Sequence, residues 1–135
     1  MAELRKVHQF MVFTVASPMQ FALAEFMQDP KPYTELAAFY QAKRDRLTAG
    51  LAKTRFKPLP SPGTFFMLAD YSAISQQPEA DFAQMLTVKH GVTVIPLSAF
   101  YQHPDAEASN HQLVRFCFAK KDQTLDEAIE RLARV

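Results

Sequence analysis

The first third of the chain repeats its apolar positions at helical spacing. Leu4, Val7 and Met11, with His8 beside them, predict a helix over residues 2 to 13. A second helix opens at S-P-M-Q, where Ser17 suits the N-cap and Pro18 the first helical position. Its inner face carries Phe21, Ala22, Leu23 and Phe26. D-P-K-P at 29 to 32 is a break. Leu36, Phe39, Tyr40, Leu47 and Leu51 then mark one stripe of a long helix over roughly residues 33 to 53, interrupted only by Lys43.

After that helix the period shortens. F-K-P-L-P at 56 to 60 reads as extended, S-P-G at 61 to 63 as a turn, and T-F-F-M-L-A-D-Y at 64 to 71 as an aromatic-rich strand, together a β-hairpin. Residues 72 to 79 are a polar loop. Phe82, Met85 and Leu86 mark a short helix that stops at Gly91. V-T-V-I-P at 92 to 96 is a strand, and the segment after it is mostly loop. L-V-R-F-C-F-A at 113 to 119 is the last strand, with Cys117 expected in the core. T-L-D-E, Thr124 to Glu127, reads as a capping box opening a final helix with Leu125, Ala128, Ile129 and Leu132 on its apolar face. Helices packed on a small sheet place the chain in the α+β or α/β-layer class.

Composition narrows the picture. The 135 residues suffice for one compact domain, and 48% hydrophobic content argues against disorder. A net charge of +1, without basic clusters, gives no field that points to nucleic acid or an anionic membrane. No apolar run reaches bilayer-spanning length, and the charged first residues do not resemble a signal peptide. A single cysteine excludes an internal disulfide and fits a reducing cytoplasm. The chain opens directly in a helical pattern, which reads as a sequence joined partway through a larger protein.

Candidate chemistry is sparse. His8, His90, His103 and His111 lack metal-ligand spacing, so no metal site is expected. Three glycines form no phosphate loop, and Ser98 lacks the surroundings of a nucleophile elbow. Arg115 is the exception, because it interrupts the most apolar strand. A buried bare charge is very costly. Arg115 therefore either faces solvent from an edge strand or meets an anion, and its planar fork of donors matches a carboxylate.

Six runs in order carry a resemblance: L-R-K-V-H-Q, F-T-V-A-S-P-M-Q-F-A-L-A, F-Y-Q-A-K-R-D-R-L, P-S-P-G-T-F-F-M-L-A-D-Y, H-G-V-T-V-I-P-L-S-A-F-Y and L-V-R-F-C-F-A-K-K. Over essentially its whole length the chain resembles the C-terminal part of class I/II, fold-type I pyridoxal-phosphate aminotransferases, nearest the methionine and kynurenine (glutamine) transaminases. The resemblance implies one C-terminal domain over 1–135, built on a small mixed sheet of about four strands. Residues 1–28 would be a helical segment contacting a large domain or a dimer partner.

It also implies roles. Arg115 would bind the substrate α-carboxylate. Gly63 would form the turn beside the substrate, where a glycine can take a positive φ. Phe13 and Thr14 would border the partner subunit's pocket. Pro96, Ser98 and Phe100 would lie at the pocket mouth without a chemical role.

The family's cofactor-anchoring lysine lies before the matched region. Lys6, Lys120 and Lys121 do not inherit its role, so this chain alone is expected to hold no cofactor and to be inactive. The complete enzyme would use pyridoxal 5'-phosphate to exchange an amino group between an amino acid and a 2-oxo acid. It would be a homodimer or swapped oligomer. The alternatives are a stand-alone carboxylate-binding or self-associating module, or one half of a split enzyme.

Overall fold

The computed structural model describes all 135 residues. The chain divides into two compact units, Met1–Leu36 and Ala37–Val135. The first holds α1 (Ala2–Met11), α2 (Ser17–Phe26) and the short α3 (Lys31–Thr34). None of these helices buries a residue within the chain, and Phe10, Met11, Phe13 and Phe21 are all exposed. Ser17 is the first residue of α2 and not its cap. Ala16 holds the cap position without a side-chain hydrogen bond, and Pro18 sits in the first turn as expected. α1 ends two residues earlier than its apolar pattern suggests.

α4 spans Leu36–Leu51. It leads into the hairpin of β1 (Lys57–Pro58) and β2 (Phe66–Asp70), in which Pro58 pairs with Ala69. α5 (Glu79–Met85) continues through one π-helical turn, Leu86–His90, to Gly91. Gly91 takes φ +64°, the left-handed geometry that glycine reaches without a Cβ penalty. β3 is only Ile95–Pro96 and runs into the 3-10 turn Leu97–Phe100. β4 (Leu113–Cys117) and α6 (Asp122–Leu132) complete the fold.

The four strands lie in the order β1-β2-β4-β3. Every pairing is antiparallel, in place of the mixed sheet that the resemblance implies. The α+β class, the strand count and the hairpin agree with the sequence pattern.

One face of the sheet holds the core. Met67 and Ala69 of β2 and Val114 and Phe116 of β4 point into it. They meet Leu47 and Leu51 of α4, Phe82 of α5, and Leu125 and Leu132 of α6. Tyr71 stacks on Phe82 at 3.9 Å with 7° between the rings. Because side chains alternate along a strand, Leu68, Arg115 and Cys117 face the other way. Cys117 is therefore exposed, which corrects its assignment to the core.

The polar interruption of α4 is explained. The Lys43 ammonium is buried and donates to the Lys120 carbonyl at 2.6 Å and to Asp122 at 2.9 Å. Two of its three donors are thus engaged at the start of α6, one of them by an opposite charge, as a buried charge requires. The Lys43 hydrogen bond, reinforced by its charge, holds the Asp122 carboxyl below the usual range. α6 begins at Asp122, with Lys121 at the cap position, and the Thr124–Glu127 box lies inside the helix.

α4 meets α6 at Gly50. A Cβ there would sit 2.6 Å from Cγ1 and 3.0 Å from Cγ2 of Ile129. Isoleucine is stiff at χ1 and cannot swing clear. Overpacking costs about 1–3 kcal/mol and exceeds the helix-propensity gain of at most about 1 kcal/mol. Gly50→Ala is thus expected to lower stability by about 1–2 kcal/mol in urea denaturation. Ile129→Ala in the same chain should make Gly50→Ala neutral or stabilising.

No helix is long and apolar enough to cross a membrane.

Candidate functional site

Arg115 stands at the centre of the sheet. β4 lies between β2 and β3, so the edge-strand alternative does not hold. In register, Leu68 and Ile95 flank Arg115 on either side. Three strands therefore fix its backbone, which makes the position rigid. The side chain is half-buried on the face away from the core.

Two aromatic rings hold the guanidinium. Its central carbon lies 4.6 Å from the Phe66 ring centroid and 5.1 Å from that of Phe100. Such cation–π contacts are worth about 0.5–1 kcal/mol each at exposed sites. They orient the group without using its hydrogen-bond donors. Arg115 has no carboxylate partner, unlike Arg44 with Asp45 and Arg46 with Asp126. No buried side-chain nitrogen in the molecule lacks a partner, so the free donors of Arg115 open to solvent. Arg115 also borders a cleft of about 380 Å³ whose walls come mainly from β3, β4 and α6, among them Cys117, Lys120, Leu125 and Arg131, and which neither Phe66 nor Phe100 lines. The arrangement is an oriented, preorganised cation ready for a planar anion.

The other sequence-derived residues are distributed differently. Gly63 lies in the exposed hairpin turn, where an added Cβ would meet nothing within 4 Å. The positive φ of that turn belongs to Thr64, at 64°, and not to Gly63. The Thr64 hydroxyl accepts the Phe65 N–H and supports this conformation locally. Phe13 and Thr14 belong to the first unit, in the exposed link between α1 and α2. Pro96 pairs with Val114, and Phe100 reaches Arg115. Sequence reasoning misses Phe66 and Glu79. Phe66 is legible only as one of several strand aromatics, and Glu79 only as the end of a polar loop. No group of three or more His, Cys, Asp or Glu gathers as metal ligands would.

Known proteins share this arrangement of elements. Over 99% of its length the chain is 47% identical to methionine aminotransferase of Escherichia coli, covering 34% of that protein. It is 38% identical to kynurenine–oxoglutarate transaminase 3 of Rattus norvegicus, over 94% of the chain and 32% of the relative. The crystal structure of YbdL from Escherichia coli, described as having a methionine aminotransferase function, superposes with a TM-score of 0.85 at 47% identity. That match covers 99% of this chain and 35% of the other. N-succinyldiaminopimelate aminotransferase of Mycobacterium tuberculosis superposes with a TM-score of 0.81 at 38% identity, over 98% of this chain and 34% of the other. The chain thus spans about a third of the length of these relatives. The profile of aminotransferase class I and II matches residues 1–132. Sequence and fold agree over the whole chain, and it belongs to the class I and II aminotransferases.

Proposed function

We propose that this chain forms the C-terminal part of a pyridoxal-phosphate aminotransferase acting on methionine-like or aromatic amino acids, and that Arg115 binds the substrate α-carboxylate. The observation that carries the reading is the half-buried Arg115 guanidinium. It sits on the central strand, oriented by two rings and left without a protein anion. An amino acid and its 2-oxo acid share the α-carboxylate, so one arginine can hold both partners of the exchange. The α-carbon then stays in register with the reacting centre through both halves of the reaction. Phe66 and Phe100 beside the anchor suit an apolar or aromatic side chain. Gly63 would border the substrate, and Phe13 and Thr14 would line the partner subunit's pocket.

Pyridoxal phosphate supplies the electron sink for bond breaking at the substrate Cα. The residues of this chain do not fit it as a self-contained site. Lys43, the one buried lysine, is spent on the Lys120 carbonyl and Asp122, and Lys6 pairs with Glu3. Lys120 reaches the cleft, yet no buried, unpaired aspartate stands ready for a pyridine nitrogen. The anchoring lysine would come from the remainder of the enzyme.

The test grafts this sequence in place of the matching third of the Escherichia coli methionine aminotransferase. Methionine-dependent transamination by the graft is expected. A folded, cofactor-loaded but inactive graft overturns the reading. In parallel, the chain alone is mixed with pyridoxal phosphate and reduced with borohydride. No single stoichiometric lysine adduct should appear, and one such adduct would refute the claim that the lysine lies elsewhere.

The exposed apolar residues of the first 28 positions fit a surface covered in the complete enzyme, by its large domain or by a partner subunit. Light scattering of the chain at high concentration should therefore show self-association, and a sharply monomeric species would count against this.

A further inference from the structure

Glu79 is the most buried acidic residue, at 1% exposure, and it touches neither a cation nor the cleft. Its carboxylate is wholly engaged by backbone. One oxygen accepts the Ser98 N–H. The other accepts the N–H groups of His111 at 2.9 Å and Leu113 at 3.0 Å. These donors belong to two separate elements. Ser98 lies in the 3-10 turn Leu97–Phe100, which carries Phe100. His111 and Leu113 flank the start of β4, which carries Arg115. Between them Gln112 takes a left-handed φ of 56°. That conformation is uncommon outside glycine and persists where its surroundings over-determine it.

We propose that Glu79 is a positioning residue of the carboxylate site: it ties the Phe100 turn to the root of β4 and thereby sets the ring over the Arg115 guanidinium. The inference rests on the reading of Arg115 as the carboxylate anchor. Without Glu79, the turn would keep the β3–β4 pairing at Pro96 and the Tyr101–His111 ring contact at 5.3 Å but lose its tie at Ser98, and Phe100 would no longer be fixed over Arg115. The guanidinium would then sample more orientations, and a carboxylate would bind at the cost of ordering it. Glutamine is the diagnostic replacement, since its single carbonyl oxygen cannot serve both sets of N–H donors and its NH2 group opposes one of them.

The experiment uses the isotopically labelled 135-residue chain and NMR. In the native chain the amides of Ser98, His111 and Leu113 should be protected from exchange. Contacts between the Phe100 ring and the Arg115 side chain should be present, with the Arg115 protons shifted upfield by the ring. In Glu79→Gln, protection at Ser98 or at the His111–Leu113 pair should fall, and the Phe100–Arg115 contacts and the upfield shift should be lost. The Leu68–Arg115 cross-strand contacts and those of Phe66 should remain. Unchanged Phe100–Arg115 contacts in a folded Glu79→Gln chain would overturn the proposal. So would their loss together with the β2–β4 register, because that is a general structural role.

If Glu79→Gln does not fold, the native chain decides. An unprotected Ser98 amide or an absent Phe100–Arg115 contact refutes the clamp, and both present with Phe100 displaced in Glu79→Asp supports it. None of these readouts involves substrate, so they are separate from the outcome of the graft. In an active graft, Glu79→Gln should raise KM several-fold more than it lowers kcat.

Discussion

Arg115→Ala, placed in the active graft, is expected to reduce kcat/KM for methionine by about 30- to several thousand-fold. That range corresponds to about 2–5 kcal/mol for truncating one member of a desolvated charged pair. The size follows from the setting. The guanidinium already sits in its oriented state, so its loss removes a preorganised partner. It also leaves the substrate carboxylate without its partner. Arg115→Lys keeps the charge but loses the planar fork, and an intermediate loss is expected. Folding should be nearly spared, because Arg115 donates to no protein group and its two ring contacts contribute only about 0.5–1 kcal/mol each. Denaturation curves run beside the kinetics separate the two effects. A kcat/KM within twofold of the parent would remove Arg115 from the site.

Phe82→Ala is expected to cost about 3–5 kcal/mol of stability, a large part of the roughly 5–15 kcal/mol that holds a domain of this size. Phe82 is wholly buried where α5 meets the sheet. It stacks face to face on Tyr71 and tilts against Phe56 at 6.1 Å. Truncation leaves a cavity bounded by two other rings, and stiff aromatics close such a space poorly. At about 4–8 °C per kcal/mol, the thermal midpoint should fall by tens of degrees.

A second readout is linked to it. Burial pushes the Tyr71 phenol well above its ordinary value, with the Glu79 charge adding to the effect. A raised folded-state value means stability present at neutral pH and lost on the alkaline side, as the unfolded tyrosine ionises first. Opening the cavity should bring Tyr71 ionisation down toward its ordinary range, visible in the tyrosinate absorbance. A stability change under 1 kcal/mol would mean that the site repacks freely.

Several features of the molecule are legible in its sequence. A strand with an arginine at its centre, a hairpin over residues 56 to 71, a helix stopped by Gly91 and the apolar face of α6 each have a local cause. Alternation, turn residues and a left-handed glycine all act within a few positions. The features that are not legible depend on distant partners. In L-V-R-F-C-F five of six positions are apolar, so period two cannot say which set faces the core. Only pairing with β2 and β3 places Val114 and Phe116 inward and leaves Cys117 outside.

Thr124 and Glu127 match a capping pattern, yet the helix starts earlier, at Asp122, whose carboxylate accepts from the distant Lys43. Gly63 is the natural residue for a positive φ, which Thr64 adopts instead. Glu79 reads as loop, because the three N–H groups it serves lie far along the chain. Of the site itself, Arg115 is legible as an anomaly, and the rings that orient it are not.

The outward turn of Cys117 has a practical consequence. The chain contains one thiol, and it stands two residues from Arg115 on the same face of β4, lining the same cleft. A maleimide-linked fluorophore would therefore attach at a single known position beside the guanidinium, with no competing thiol to remove. Its emission would report ligand arrival in the unaltered sequence.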